Sequence, residues 1–161
     1  MNKAKKWVDK LLLSLSSLLI IAMVVLSIWQ VVARYVLSIP SPATEEITRF
    51  MLIWFGLLAA SYVFGAKKHI AILFFREKFA AKTQISIERI TDTLVILVAS
   101  ILMVYGGIKV VMLTIAQTAP ATGISMAFVY MSLPLSGLFI IFYTIHSMLT
   151  NKIKENQEVG V

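Results

Sequence analysis

The sequence predicts an all-α integral membrane protein that crosses the bilayer four times and keeps both ends on the cytoplasmic side. Three observations predict it. Hydrophobic residues make up 59% of the chain and charged residues only 14%, where a soluble domain carries about a quarter of its residues charged. With a mean hydropathy of +0.87, the missing solvent is lipid. The apolar residues fall into long uncharged runs, and Lys and Arg collect in alternate connections between them. The length suits one membrane domain over residues 1–161.

The first uncharged run, 11–33, lies between Lys10 and Arg34 and is long enough to cross ~30 Å of hydrocarbon as a helix. Its basic start and the small-residue pattern Val31-Val32-Ala33 also suit a signal peptide. The apolar stretch exceeds the ~7–15 residues of such a segment, so it is read as a retained span over 11–34. The second run, 50–66, is short, and becomes adequate if Arg49 snorkels and the helix covers 46–66. From 110 to 151 there is no acid, Lys or Arg. That stretch is too long for one span, and Pro120, with Thr118, Thr122 and Gly123 around it, marks the break. A third helix over 92–117 and a fourth over 125–150 follow.

The connection 67–91 interleaves Ile70, Ile72, Leu73, Phe74, Phe75 and Phe79 with Lys67, Lys68, Arg76, Lys78 and Lys82. This pattern suits an amphipathic helix in the headgroup plane; an irregular loop dipping its Phe residues into lipid is the alternative. Orientation follows from the basic residues. Lys3, Lys5, Lys6 and Lys10 precede the first span, six more lie between Lys67 and Arg89, and Lys152 and Lys154 follow the fourth. The 34–49 connection balances Arg34 and Arg49 with Glu45 and Glu46, and 118–124 has no charge. With an even number of spans, the basic residues share one side, the cytoplasm. The net charge of +7 thus serves topology and contact with anionic lipid, and nucleic acid is excluded as a partner.

Ionisable groups at membrane depth are costly and mark function. The candidates are few: Gln30, Asp92, Lys109 and His146. Asp92 is expected to cap the third helix, and Lys109, ~25 Å further along, to reach the outer headgroups. Gln30 is placed to hydrogen-bond a neighbouring helix. No pair of mid-depth acids can bind a cation, and no helix is visibly broken, against a self-sufficient secondary transporter. His69 and His146 are the only histidines and cysteine is absent, so no metal site or cofactor is expected and no enzyme activity. A small haem or quinone anchor, or a stand-alone exporter or channel, remains as the rival reading.

The densest polar cluster is Arg34, Glu45, Glu46 and Arg49, on the outer side. Glu45 and Arg49 are i,i+4 on a helix opened by Pro40 and Pro42, with Thr44 as cap. Spacing alone leaves two readings open: an exposed pair worth a few tenths of a kcal/mol, or a rim that touches another protein. Gly56 with Ala60, Ser61 with Gly65 and Ser132 with Ser136 are small-xxx-small pairs that admit close helix approach. Tyr35 and Tyr130 suit an aromatic belt, while Trp54 suits the belt or a partner helix.

Taken in order, Trp29-Gln30, Arg34-Tyr35, Glu45-Glu46-x-x-Arg49-Phe50, Trp54-x-Gly56, His69-Ile70, Thr122-Gly123-Ile124 and Tyr130-x-x-Leu133-Pro134 resemble the DctQ-like small membrane subunit of tripartite ATP-independent periplasmic (TRAP) transporters. The likeness covers nearly the whole chain through short motifs. One departure stands out: many relatives follow His-Ile with an acid near 73 or 74, where this chain has Leu73 and Phe74. The resemblance implies a bacterial inner-membrane complex for uptake of an organic acid, sialic acid or another carboxylate. A periplasmic binding protein captures the acid and a large membrane subunit moves it with a sodium gradient. The small subunit associates with the large one and helps dock the binding protein. Arg34, Glu45, Glu46 and Arg49, with Trp54, Gly56 and Ala60, are then the expected partner-facing set.

Overall fold

A computed structural model describes residues 2–65 and 81–159, all helical apart from short connections. Residues 67–80, the larger part of the expected interfacial segment, and His69 with them, lie outside the described residues. Among the described residues, four helices are long and apolar enough to cross a membrane: Lys3–Tyr35, Pro42–Gly65, Arg89–Thr114 and Met126–Leu149.

Helix α1, Asn2–Tyr35, continues its first span back through the basic N-terminal residues. It stops where Ser38 adopts φ +56° and the Ile39 N–H turns back to the Ala33 carbonyl at 2.9 Å. That left-handed conformation usually falls to glycine. Pro40 then prevents a restart. Helix α2, Pro42–Gly65, begins with proline at its first position, where a missing N–H costs nothing. Thr44 does not cap it. Its hydroxyl donates to the Ser41 carbonyl at 2.9 Å, because Thr44 already lies inside the first turn.

The third span is composite: α3, Ala81–Val98, a π-helical segment, Ala99–Gly106, and α4, Gly107–Thr114. Asp92 therefore lies inside a helix and not at its start. The π segment widens the helix where the fourth span presses on it: a methyl group at Gly137 would lie 2.8 Å from Met103 Cβ, and one at Gly107 2.9 Å from Pro134 Cδ. The i→i+5 pattern is rare and usually confined to a single turn. Here it ends at Gly107, whose N–H is shared between the Met103 and Val104 carbonyls.

A tight hairpin follows. Thr118 and Ser125 form an antiparallel bridge, the Ala119 N–H donates to the Ile124 carbonyl at 2.8 Å, and Gly123 supplies φ +70°. Helices α5, Met126–Tyr130, and α6, Ser132–Val159, make up the fourth span. The break at Met131 has a cause in Pro134, which has no N–H to offer the Tyr130 carbonyl.

The helices stand in a row: α1 packs on α2, α2 on α6, and α6 on the composite third span. The fourth span is 39% buried against 11% for each of the others, so it is the spine. Serines let α2 and α6 close: Ser61, Ser132 and Ser136 are fully buried, and the Ser61 hydroxyl donates to the Ser136 carbonyl at 3.1 Å. Around the core of Leu12, Leu58 and Tyr143 pack Trp54, Tyr62 and Phe139. The remaining apolar surface, including Leu18, Ile21, Val24, Val25 and Ile28 along α1, is exposed, as expected where lipid is the solvent.

Candidate functional site: the hairpin-end rim

The end of the row that carries the 36–41 connection and the 115–125 hairpin brings the polar cluster together. Gln30 reaches from α1 to α2, its Nε2 donating to Thr48 Oγ1 at 2.9 Å. The Thr48 hydroxyl donates in turn to the Thr44 carbonyl at 2.8 Å. The expected hydrogen bond of Gln30 to a neighbouring helix is thus present. Above it, Gln30, Arg34, Tyr35, Pro40 and Glu45 border a cleft of about 250 Å³.

Glu45 and Arg49 pair at 3.6 Å, with side chains 49% and 75% exposed. At that separation and exposure the pair adds little stability, and both groups face outward. Glu46, one residue on, behaves differently. Its Oε2 accepts the Thr122 hydroxyl at 2.7 Å, the Thr122 N–H at 2.8 Å and the Ala121 N–H at 3.2 Å. Three donors converge on one charged oxygen, the arrangement in which hydrogen bonds are strongest.

The helix-borne members of the set divide in the same way. Trp54 lies inward, its ring 5.5 Å from that of Phe128 and packed on the Leu12–Leu58–Tyr143 core. Gly56 and Ala60 are exposed, and nothing lies within 4 Å of where a Gly56 side chain would begin. Lys109 sits with Nζ 4.6 Å from the Tyr105 ring centroid, a cation–π contact.

A contact at the opposite end was not anticipated from the sequence. The Tyr143 hydroxyl donates to Asp9 Oδ1 at 2.5 Å, and the Tyr143 ring lies against Gly65, where a methyl group would come within 2.5 Å of it. The signal was present in the sequence: Asp9 is the one acid among Lys3, Lys5, Lys6 and Lys10. Among the described residues, no group of three or more His, Cys, Asp or Glu side chains is placed to hold a metal ion.

Described residues that form four apolar helical spans, with the buried hydroxyls of Ser61, Ser136 and Thr144 bonded to helix backbone carbonyls, define a multi-pass membrane protein. The family is equally plain: residues 23–152 match the model of the tripartite ATP-independent periplasmic transporters, DctQ component, and the chain belongs to that family of TRAP small permease subunits. It is 28% identical over 147 residues to a Haemophilus influenzae protein assigned as a TRAP transporter small permease, covering 91% of this chain and 88% of the relative. A second Haemophilus influenzae protein so assigned is 25% identical over 140 residues, 87% of this chain and 86% of the relative. The sialic acid TRAP transporter small permease protein SiaQ of Vibrio cholerae is 27% identical over 129 residues, 77% of this chain and 71% of the relative. The family and the four spans together make this a multi-pass inner-membrane protein.

Proposed function

We propose that this chain is the non-catalytic small subunit of a sodium-driven, binding-protein-dependent TRAP transporter for an organic acid. It associates with the large membrane subunit, keeps both termini cytoplasmic and helps the periplasmic binding protein dock. The observation that carries this reading is the exposed ridge of α2. Glu45, Arg49, Gly56 and Ala60 recur along one face and all are exposed, with Leu52 and Ile53 exposed between them. Small residues on one face admit a second helix closely in lipid, and the charged top of the ridge, facing Arg34 across the cleft, offers a rim to a soluble partner. The Lys and Arg bias of the connections supports the orientation. The acid is a sialic acid or another carboxylate; the name of the Vibrio cholerae relative supports the first.

The test is reconstitution. Sodium-gradient uptake of sialic acid into proteoliposomes is expected only when this chain, the large subunit and the binding protein are all present, and uptake by this chain alone would overturn the reading. A Gly56→Leu, Ala60→Leu double variant is expected to insert but to lose co-purification with the large subunit. Wild-type co-purification would move the contact face off this ridge.

A further inference from the structure

Glu46 and Glu45 are neighbours with opposite surroundings. Glu45 points outward to Arg49 at 3.6 Å. Glu46 turns toward the third-to-fourth hairpin and takes up two backbone N–H groups and a hydroxyl from Ala121 and Thr122 on a single oxygen. The hairpin is also tied within itself, by the Ala119 N–H to the Ile124 carbonyl and the Met126 N–H to the Gln117 carbonyl, both at 2.8 Å. Its tip residues Pro120, Ala121 and Gly123 remain exposed. Internal bonds shape the hairpin but do not orient it. The bonds to Glu46 tie it to the N-terminal end of α2.

From this geometry we infer that Glu46 is a positioning residue: it locks the 118–125 hairpin against the top of α2, so that the hairpin tip and the Glu45–Arg49 rim present one surface, and it does not itself touch the partner. The inference rests on the docking role proposed above. It separates two chemistries that a charge cluster confounds. A lock needs an acceptor oxygen at the reach of a glutamate side chain, whereas a contact with a cationic partner needs the charge. Gln supplies the first without the second.

Two measurements test it. In the isolated subunit in nanodiscs, Glu46→Ala should speed hydrogen exchange at the Ala121 and Thr122 amides by about tenfold or more, tenfold being the low end for losing charge-assisted bonds. Glu46→Gln should stay within about threefold of wild type, because its amide oxygen still accepts. Thr122→Val removes one donor, leaves α2 untouched and should move exchange in the same direction by less. In the reconstituted transporter, Glu46→Ala should raise the binding-protein concentration for half-maximal uptake with the maximal rate little changed, and Glu46→Gln should restore most of the loss. Equal defects in Gln and Ala, with hairpin exchange unchanged, would overturn the lock in favour of a charge contact. Faster exchange with an unchanged titration would overturn its role in docking. If Glu45 and Arg49 variants also leave the titration unchanged, the docking reading itself falls.

Discussion

The two ends of the helix row solve one problem with different chemistry. At the end that carries the chain termini, Asp9 accepts a hydrogen bond from Tyr143, and the Tyr143 ring lies on Gly65, so a polar contact sits on a packed one. At the hairpin end, Glu46 holds Thr122 and Ala121 by hydrogen bonds, and although Ala119 is buried, the tip residues Pro120, Ala121 and Gly123 are exposed. The first arrangement joins α1, α2 and α6 through a ring that has nowhere else to go. The second leaves a shaped loop outside the packing, where another molecule can reach it. One end is packed shut and the other is left open.

The comparison is broken most severely at Gly65. Gly65→Leu would place a side chain where even a methyl group meets the Tyr143 ring. Overpacking of this kind costs roughly 1–3 kcal/mol or more. The expected result is a Tm in detergent lowered by many degrees, with Gly56→Leu, which meets open space, close to wild type. Equal shifts for the two glycines would remove the packed character assigned to the terminal end.

Glu46→Ala comes next, at about 1.5–3 kcal/mol for hydrogen bonds to a charged group. That loss should appear as hairpin loosening, with exchange at Gly65 and around Tyr143 unaffected. Tyr143→Phe keeps the ring on Gly65 and removes only the single bond to the Asp9 carboxylate, for about 1.5 kcal/mol, the low end for a bond to a charged group. Thermal unfolding of this variant beside Gly65→Leu separates the packing part of the terminal end from its polar part. A Phe variant as damaged as Gly65→Leu would assign the end to the hydrogen bond. The smallest effect belongs to Arg49→Ala. Its exposed pair with Glu45 is worth under about 1 kcal/mol, so the Tm should hold at all salt concentrations, and any loss should appear only in uptake titrated with binding protein.

Much of this was legible in the residues. Uncharged runs mark spans because an unpaired charge in hydrocarbon is expensive wherever it falls, so four crossings needed no knowledge of which helices touch. The pairs Ser61 with Gly65 and Ser132 with Ser136 were legible for a similar reason: small side chains at helical spacing permit close approach, and α2 and α6 do close on Ser61 and Ser136. The same pattern at Gly56 and Ala60 ended on an exposed face, because spacing tells which face is flat and not what lies against it. The third span was read as a plain helix. Its π segment arises where Gly137 and Pro134 press on it, a contact between residues far apart in the chain.

The composition and the placement of charge therefore determined the solvent, the number of spans and the polar cluster near their ends, since each depends on local transfer free energy along the chain. Only the tertiary structure decided how that cluster divides. Glu45 and Glu46 are chemically identical and adjacent, and the ~100° of helix rotation between neighbours sends the first outward to Arg49 and the second to a hairpin 76 residues away. Asp9 and Tyr143, 134 residues apart, meet for the same reason. Which polar groups are consumed inside a protein depends on which helices become neighbours, and that depends on close packing of side chains distant in sequence.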